Sequence, residues 1–300
     1  MLSEVFYWLL SMSITASVSG IMILLVRMIK KLPRRFITFL WLIPFIRLTV
    51  PFGINGKYGI ISLFSVLRAK TVIVYDGVSL MNCVDAAESY SPFAYKTDLL
   101  ADVFSVSSVI WLSAALAMII FLSAVYTVTL RELRDAKHIK DNLFSSDKIT
   151  SPAVYGVFFP RIIIPVSYEH RDDLDYILAH ENAHIKRLDN FMRAAAIIVT
   201  AVHWFNPLIW IFLKCFLADL EISCDETVLE KLNAEQRKEY ALTLVSSAAG
   251  KNVFVSAFGG AKIKTRVQRI LTFEKITAAA AVAFSVLAVF IAYVLLTNAV

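Results

Sequence analysis

The sequence predicts a mainly α-helical integral membrane protein: four transmembrane helices and one large segment kept on a single side of the bilayer. Three observations predict it. Of the 300 residues, 58% are hydrophobic and only 18% charged, against roughly 45–50% and 25% in soluble domains. Four apolar runs approach the ~20 residues that a helix needs to cross a bilayer. Clusters of Lys and Arg border those runs and form no stripe with interleaved aromatics. The net charge of +6 is therefore a topology signal, and direct nucleic-acid binding is not expected.

The first run, residues 5–26, is preceded by Glu4 and followed by Arg27, Lys30, Lys31, Arg34 and Arg35. That order of charges marks an anchor, since a cleaved signal peptide carries its positive charge first. The second run, 36–52, is shorter and contains Pro44 and Arg47; Arg47 lies near its far end, where it can snorkel or face other helices. The third spans 106–130 and is followed by Arg131, Arg134, Lys137 and Lys140. The fourth spans 276–296, after Lys262, Lys264, Arg266, Arg269 and Lys275.

The positive-inside rule places these clusters in the cytoplasm. The expected organisation is three spans in residues 1–130 with an outer loop at 53–102, a cytoplasmic domain at 131–275, and a fourth span at 276–300. Both termini are then outside the cell membrane. Four basic against five acidic residues in the outer loop fit that side. Within the loop, residues 71–75 before Asp76-Gly77 read as a strand and turn. Three widely spaced cysteines, Cys83, Cys215 and Cys224, with no CxxC pair, predict free thiols and neither a disulfide framework nor a thiolate zinc site.

The chemistry lies in the cytoplasmic segment. Ser167 as a cap, acidic residues at 172–175, and Lys186 and Arg187 at the far end predict a helix across the HExxH motif His180-Glu181-Asn182-Ala183-His184. His180 and His184 are i and i+4, so their imidazoles share a face and can bind one tetrahedral Zn2+. Glu181, displaced by about 100°, can serve as general base toward a water without being a ligand. An HExxH arises by chance in roughly one 300-residue chain in a hundred, so a third ligand is needed. Glu221 is the expected one, in Asp219-Leu-Glu221-Ile-Ser-Cys-Asp225-Glu226. Asp225, four residues on, then orients a ligand imidazole through a hydrogen bond. The plainer alternative is an acidic helix paired with Lys214, Lys231 or Arg237.

This site constrains the topology. The apolar stretch 194–213 separates Glu221 from the histidines, and a single crossing there would leave them on opposite sides of the membrane. Pro207, Asn206 and His203 at its middle favour a re-entrant or packed hairpin, with His203 a structural residue. Upstream, residues 153–160 and 161–165 read as two short strands, either a packed hairpin or an edge that holds an extended substrate. Arg237 and Tyr240 are candidates to stabilise an oxyanion.

The order of motifs is similar to that of the BlaR/MecR-type membrane zinc metallopeptidases: three spans, Pro152 to Pro165, HExxH, HWFNPLIW (His203 to Trp210), DLEISCDE (Asp219 to Glu226), a basic stretch and a fourth span. The resemblance covers nearly the whole chain. It implies a gluzincin-like domain with His180, His184 and Glu221 on zinc and Glu181 catalytic. It also implies signal transduction, in which an outside stimulus activates the peptidase to cleave itself and a cytoplasmic protein, a transcriptional repressor, is removed as a result. The similar self-cleavage stretch is 252–260, around Ser256, Ala257 and Phe258. The penicillin-binding sensor of the beta-lactam receptors, expected after the fourth span, is not in this sequence, so beta-lactam recognition is not carried over. Two other readings are a non-catalytic signalling protein with a structural zinc, and a membrane-protein quality-control peptidase, whose pattern of spans differs.

Overall fold

The computed structural model describes residues 2–29, 32–50, 54–55, 98–247 and 261–298. The expected strand at 71–75 and the stretch 252–260, with Ser256, Ala257 and Phe258, lie outside the described residues.

The chain opens with α1 (Leu2–Arg27), an apolar helix of 26 residues. The second apolar run is not one helix but two, α2 (Arg34–Leu40) and α3 (Leu42–Thr49), parted at Trp41. Pro44 causes the break, because it has no N–H for the carbonyl of Leu40 and its ring crowds that carbonyl. Neither helix is long enough to cross a bilayer alone. Buried Arg47 donates from Nε and Nη2 to the Leu295 carbonyl at 3.0 and 2.8 Å, so it faces a helix and does not snorkel.

A two-residue strand, β1 (Ile54–Asn55), precedes the 35-residue α4 (Asp98–Glu132). This helix starts inside the loop expected to reach residue 102. Four short strands follow: β2 (Lys137–Lys140), β3 (Leu143–Ser146), β4 (Ala153–Tyr155) and β5 (Arg161–Pro165). They form one sheet in the order β2-β3-β5-β4, parallel between β3 and β5 and antiparallel elsewhere. Ile162 and Ile164 of β5 pack on Ile177, which lies in α5 (Leu174–Lys186). Ser167 does not cap this helix. It sits in a separate 3-10 turn (Val166–Tyr168), and Asp173, at the N-cap position of α5, makes no capping bond and pairs instead with Arg171.

Two helices then share the apolar stretch at 194–213, α6 (Asp189–Val202) and α7 (Pro207–Leu229). Pro207 is suited to the first turn of α7 because no N–H is required there, and Asn206 caps it by accepting from Leu208 N at 2.9 Å. The turn between them is deep in the helical bundle. The Asn206 amide donates to Ser13 and Ser17 Oγ at 2.8 Å each, halfway along α1. His203 Nε2 lies 3.0 Å from the Leu48 carbonyl, a structural role. From Asn206 to Asp219 the helix advances about 20 Å, to where Asp219 meets Arg27 at the end of α1. The chain closes with α8 (Ala234–Ser247), α9 (Ile263–Leu271), α10 (Ala278–Leu296) and β6 (Thr297–Asn298), which pairs with β1. Among the described residues three helices are long and apolar enough to cross a membrane: α1, residues 102–132 of α4, and α10.

The main core joins α1, α2, α3 and α7 through Trp41, Ile37, Phe212, Phe216 and Leu220. Gly20 allows a close approach of α1 and α7: a Cβ there would lie 2.2 Å from the Phe212 ring. Gly20→Ala improves intrinsic helix propensity by about 1 kcal/mol, yet forced overpacking costs about 1–3 kcal/mol. The variant is expected to unfold at lower temperature than wild type in detergent; an unchanged or higher midpoint would contradict the tight α1–α7 packing.

Candidate metal centre

Five helices build the site. The i and i+4 spacing on α5 brings the rings of His180 and His184 together, with their Nε2 atoms 3.2 Å apart. Glu221 enters from α7, with Oε2 at 3.8 Å from His180 Nε2 and Oε1 at 3.9 Å from His184 Nε2. Donors about 2.0–2.1 Å from a tetrahedral zinc sit roughly 3.3 Å from one another. The two nitrogens have that spacing, while Glu221 turns a different oxygen to each ring at a slightly greater distance. Glu181 follows His180 on α5 and is 8% exposed.

The far sides of both rings are held. His184 Nδ1 lies 2.7 Å from Asp189 Oδ2, and Asp189, wholly buried, is held by Arg187. His180 Nδ1 is 2.8 Å from the Tyr240 hydroxyl and 3.3 Å from Asp225 Oδ1; the hydroxyl itself donates to Asp225 at 2.6 Å. A carboxylate behind each Nδ1 holds a proton there and turns Nε2 inward, where Arg266 Nη2 stands 3.3 Å from the His180 Nε2. Arg266 of α9 clamps Asp225 with two bonds of 2.7 Å and reaches Glu221 at 3.3 Å, while Arg193 of α6 pairs with the other Glu221 oxygen.

The charges follow from these contacts. Burial pushes the Glu221 carboxyl up, but Arg193, His184 and Arg266 outweigh it and hold it down at about 2. Asp225 is likewise lowered despite burial, chiefly by Arg266. Burial disfavours a charged His184, yet Cys224 and Asp189 raise it to about 9, and His180 is raised as well.

Cys224 is the residue that the spacing rules missed. One donor atom from each of His180, His184 and Cys224 falls within 4.8 Å of the others. Fully buried, its sulfur lies 3.6 Å from His180 Nδ1 and 3.4 Å from the His180 carbonyl. It touches both imidazoles, and although burial pushes the thiol up, His180 and His184 hold it down at about 7. Cys215, the other described cysteine, is also free. Of the two residues expected to stabilise an oxyanion, Tyr240 stands behind His180 and donates to Asp225, and Arg237 donates to the Phe273 carbonyl. β4 is an edge strand beside α5, but Asn190 already donates to the carbonyls of Val154 and Gly156. An added peptide strand would have to displace that amide.

The family model described as BlaR1 peptidase M56 matches residues 7–271. The chain belongs to this family. Peptidase M56 membership implies a metallopeptidase, consistent with a metal-sized donor cluster. The chain is 32% identical to the regulatory protein BlaR1 of Bacillus licheniformis over 148 residues, covering 46% of this chain and 24% of that protein. It is 26% identical to the methicillin resistance mecR1 protein of Staphylococcus aureus (strain Mu50) over 148 residues, 46% and 25% of the two chains. The match thus spans about a quarter of the length of these relatives. Together with the long apolar helices they support a membrane protein.

In this M56 chain, Arg266 had no sequence signal beyond its membership in a basic cluster. Asp189 could have been found, because a carboxylate five residues beyond a candidate ligand histidine lies just past the helix end and can fold back to its ring.

Proposed function

We propose that the chain is a membrane-embedded, zinc-dependent endopeptidase of the signal-transducing kind, cleaving itself, a cytoplasmic repressor-type protein, or both, in response to a stimulus outside. The observation that carries this reading is the convergence of His180 Nε2, His184 Nε2 and Glu221 beside Glu181. In this reading the first two and Glu221 hold Zn2+, in a gluzincin-like arrangement. When bound, zinc supplies Lewis acidity toward the scissile carbonyl and the attacking water. Glu181 takes the proton of that water and hands it to the leaving amine. Asp225, Tyr240 and Asp189 hold the imidazoles in the tautomer that leaves Nε2 free.

The topology belongs to the same proposal. Arg27, Arg34 and Arg35 pair with Asp219 and Glu230 at the site's end of the bundle, so the positive-inside rule puts the zinc domain in the cytoplasm and the N-terminus outside. α2 and α3 cross together as a bent fourth span, and the C-terminus is again outside. α6 and α7 enter from the cytoplasm as a re-entrant hairpin, which keeps Glu221 on the side of the histidines.

Cys224 favours one competing arrangement, a closed site with sulfur as an additional ligand and a structural metal. X-ray absorption at the zinc edge separates the two. Nitrogen and oxygen neighbours alone are expected; a sulfur neighbour at about 2.3 Å would overturn the open catalytic site. Asp225→Asn is expected to weaken zinc binding about 10–100-fold in competition with a chromophoric chelator. Unchanged affinity would remove Asp225 from its supporting role.

A further inference from the structure

The turn between β4 and β5 carries Phe158 and Phe159 side by side, 79% and 86% exposed, more than the other large apolar side chains described. The turn has a defined shape. Gly156 adopts φ +94°, and a Cβ there would meet the Phe159 carbonyl at 2.4 Å. Its base is fastened to α6, because the Asn190 amide donates to the carbonyls of Val154 and Gly156 at 3.0 and 3.1 Å. Asn190 is the second residue of α6, the helix that leads into the hairpin. Leu188, just before that helix, and Phe191 and Ile198, seven residues apart and so on one face of it, are 62%, 50% and 52% exposed. Exposed apolar side chains are thus found both on the strand turn and on the helix it is tied to, with exposed Arg161, whose guanidinium lies over the Phe144 ring, next to the turn.

We propose that Phe158 and Phe159 form an interfacial anchor, seated in the lipid of the leaflet on the site's side. The occupant is lipid because exposed apolar side chains recur along α6, which the re-entrant hairpin carries into the bilayer; to that extent the inference rests on the proposed topology. Aromatic side chains settle at the boundary between headgroups and acyl chains, and Arg161 is placed for an anionic headgroup. The anchor fixes the sheet, and with it the base of α6, at the membrane surface beside the metal centre.

The test uses the full chain in vesicles of phosphatidylcholine and phosphatidylglycerol. The photoreactive residue p-benzoylphenylalanine replaces, one at a time, Phe158, Ile198 on the hairpin, and Lys137 on the opposite edge of the sheet. After irradiation, mass spectrometry reads lipid adducts. Position 158 is expected to give a lipid adduct comparable to 198 and several-fold above 137. Adduct at 198 with 158 no higher than 137 overturns the anchor and leaves the hairpin standing. No adduct at 198 overturns the hairpin and the inference with it. A cross-link from 158 to a second protein chain in place of lipid overturns the choice of occupant.

Discussion

The Glu181→Gln protein is expected to bind zinc as wild type does and to cleave about 10²–10⁴-fold more slowly. Glu181 stands outside the trio of donor atoms, so an uncharged, isosteric amide leaves the geometry of His180, His184 and Glu221 in place. What it removes is the group that accepts a proton from water. The comparison needs two readings on the same preparation: metal content by mass spectrometry and cleavage products by proteomics of cells expressing either form. Cleavage that survives the change for every product would defeat the peptidase reading, whereas loss of zinc along with activity would show that Glu181 holds the site together.

Asp219→Ala is expected to destabilise the protein by about 3–5 kcal/mol, the usual cost of removing one partner from a buried ion pair. Asp219 is fully buried and serves three groups at once. Its Oδ2 accepts from Arg27 Nε at 2.8 Å and from Trp41 Nε1 at 3.0 Å, and its Oδ1 faces Arg34 at 3.4 Å. Truncation leaves Arg34, itself buried, with no compensating charge at that position. Asp219→Asn keeps the volume and one acceptor oxygen and is expected to fall between wild type and Ala. Thermal unfolding in detergent checks the order; an Ala variant as stable as wild type would show that the three contacts contribute nothing.

Much of the site was legible because its chemistry is written at short range. The i and i+4 spacing fixes which face His180 and His184 share, and the same spacing links Glu221 to Asp225. The apolar run before Glu221 was harder, since its length alone suggests a crossing; Pro207 and Asn206 carry the information that it turns. Long-range partners were not legible. Arg266 reaches Asp225 from 41 residues away, and only the packing of α9 on α7 and α8 brings it there. Cys224 looked inert because spacing rules look for paired cysteines, while its position follows from lying on the same helix as Glu221. The second apolar run misled in the opposite direction: hydropathy sees a continuous segment, but Pro44 breaks its hydrogen-bond ladder. Ser167 has the chemistry of a cap, yet the chain needed six more residues to turn from the sheet into α5.

α7 carries two sets of acidic residues with different loyalties. Asp219 and Glu226, seven residues apart and so on one face, belong to the membrane helices: the first holds Arg27 and Arg34, and the second accepts from the backbone N–H of Arg34 and Arg35, closing the start of α2. Glu221 and Asp225 look the other way, toward the histidines and Arg266. Along the axis Asp219 and Glu221 are only about 3 Å apart, less than one turn. No joint lies between them. One helix thus ties α1 and α2 on one side to the candidate metal centre on the other, and a rotation of that helix about its axis would move both sets of carboxylates together.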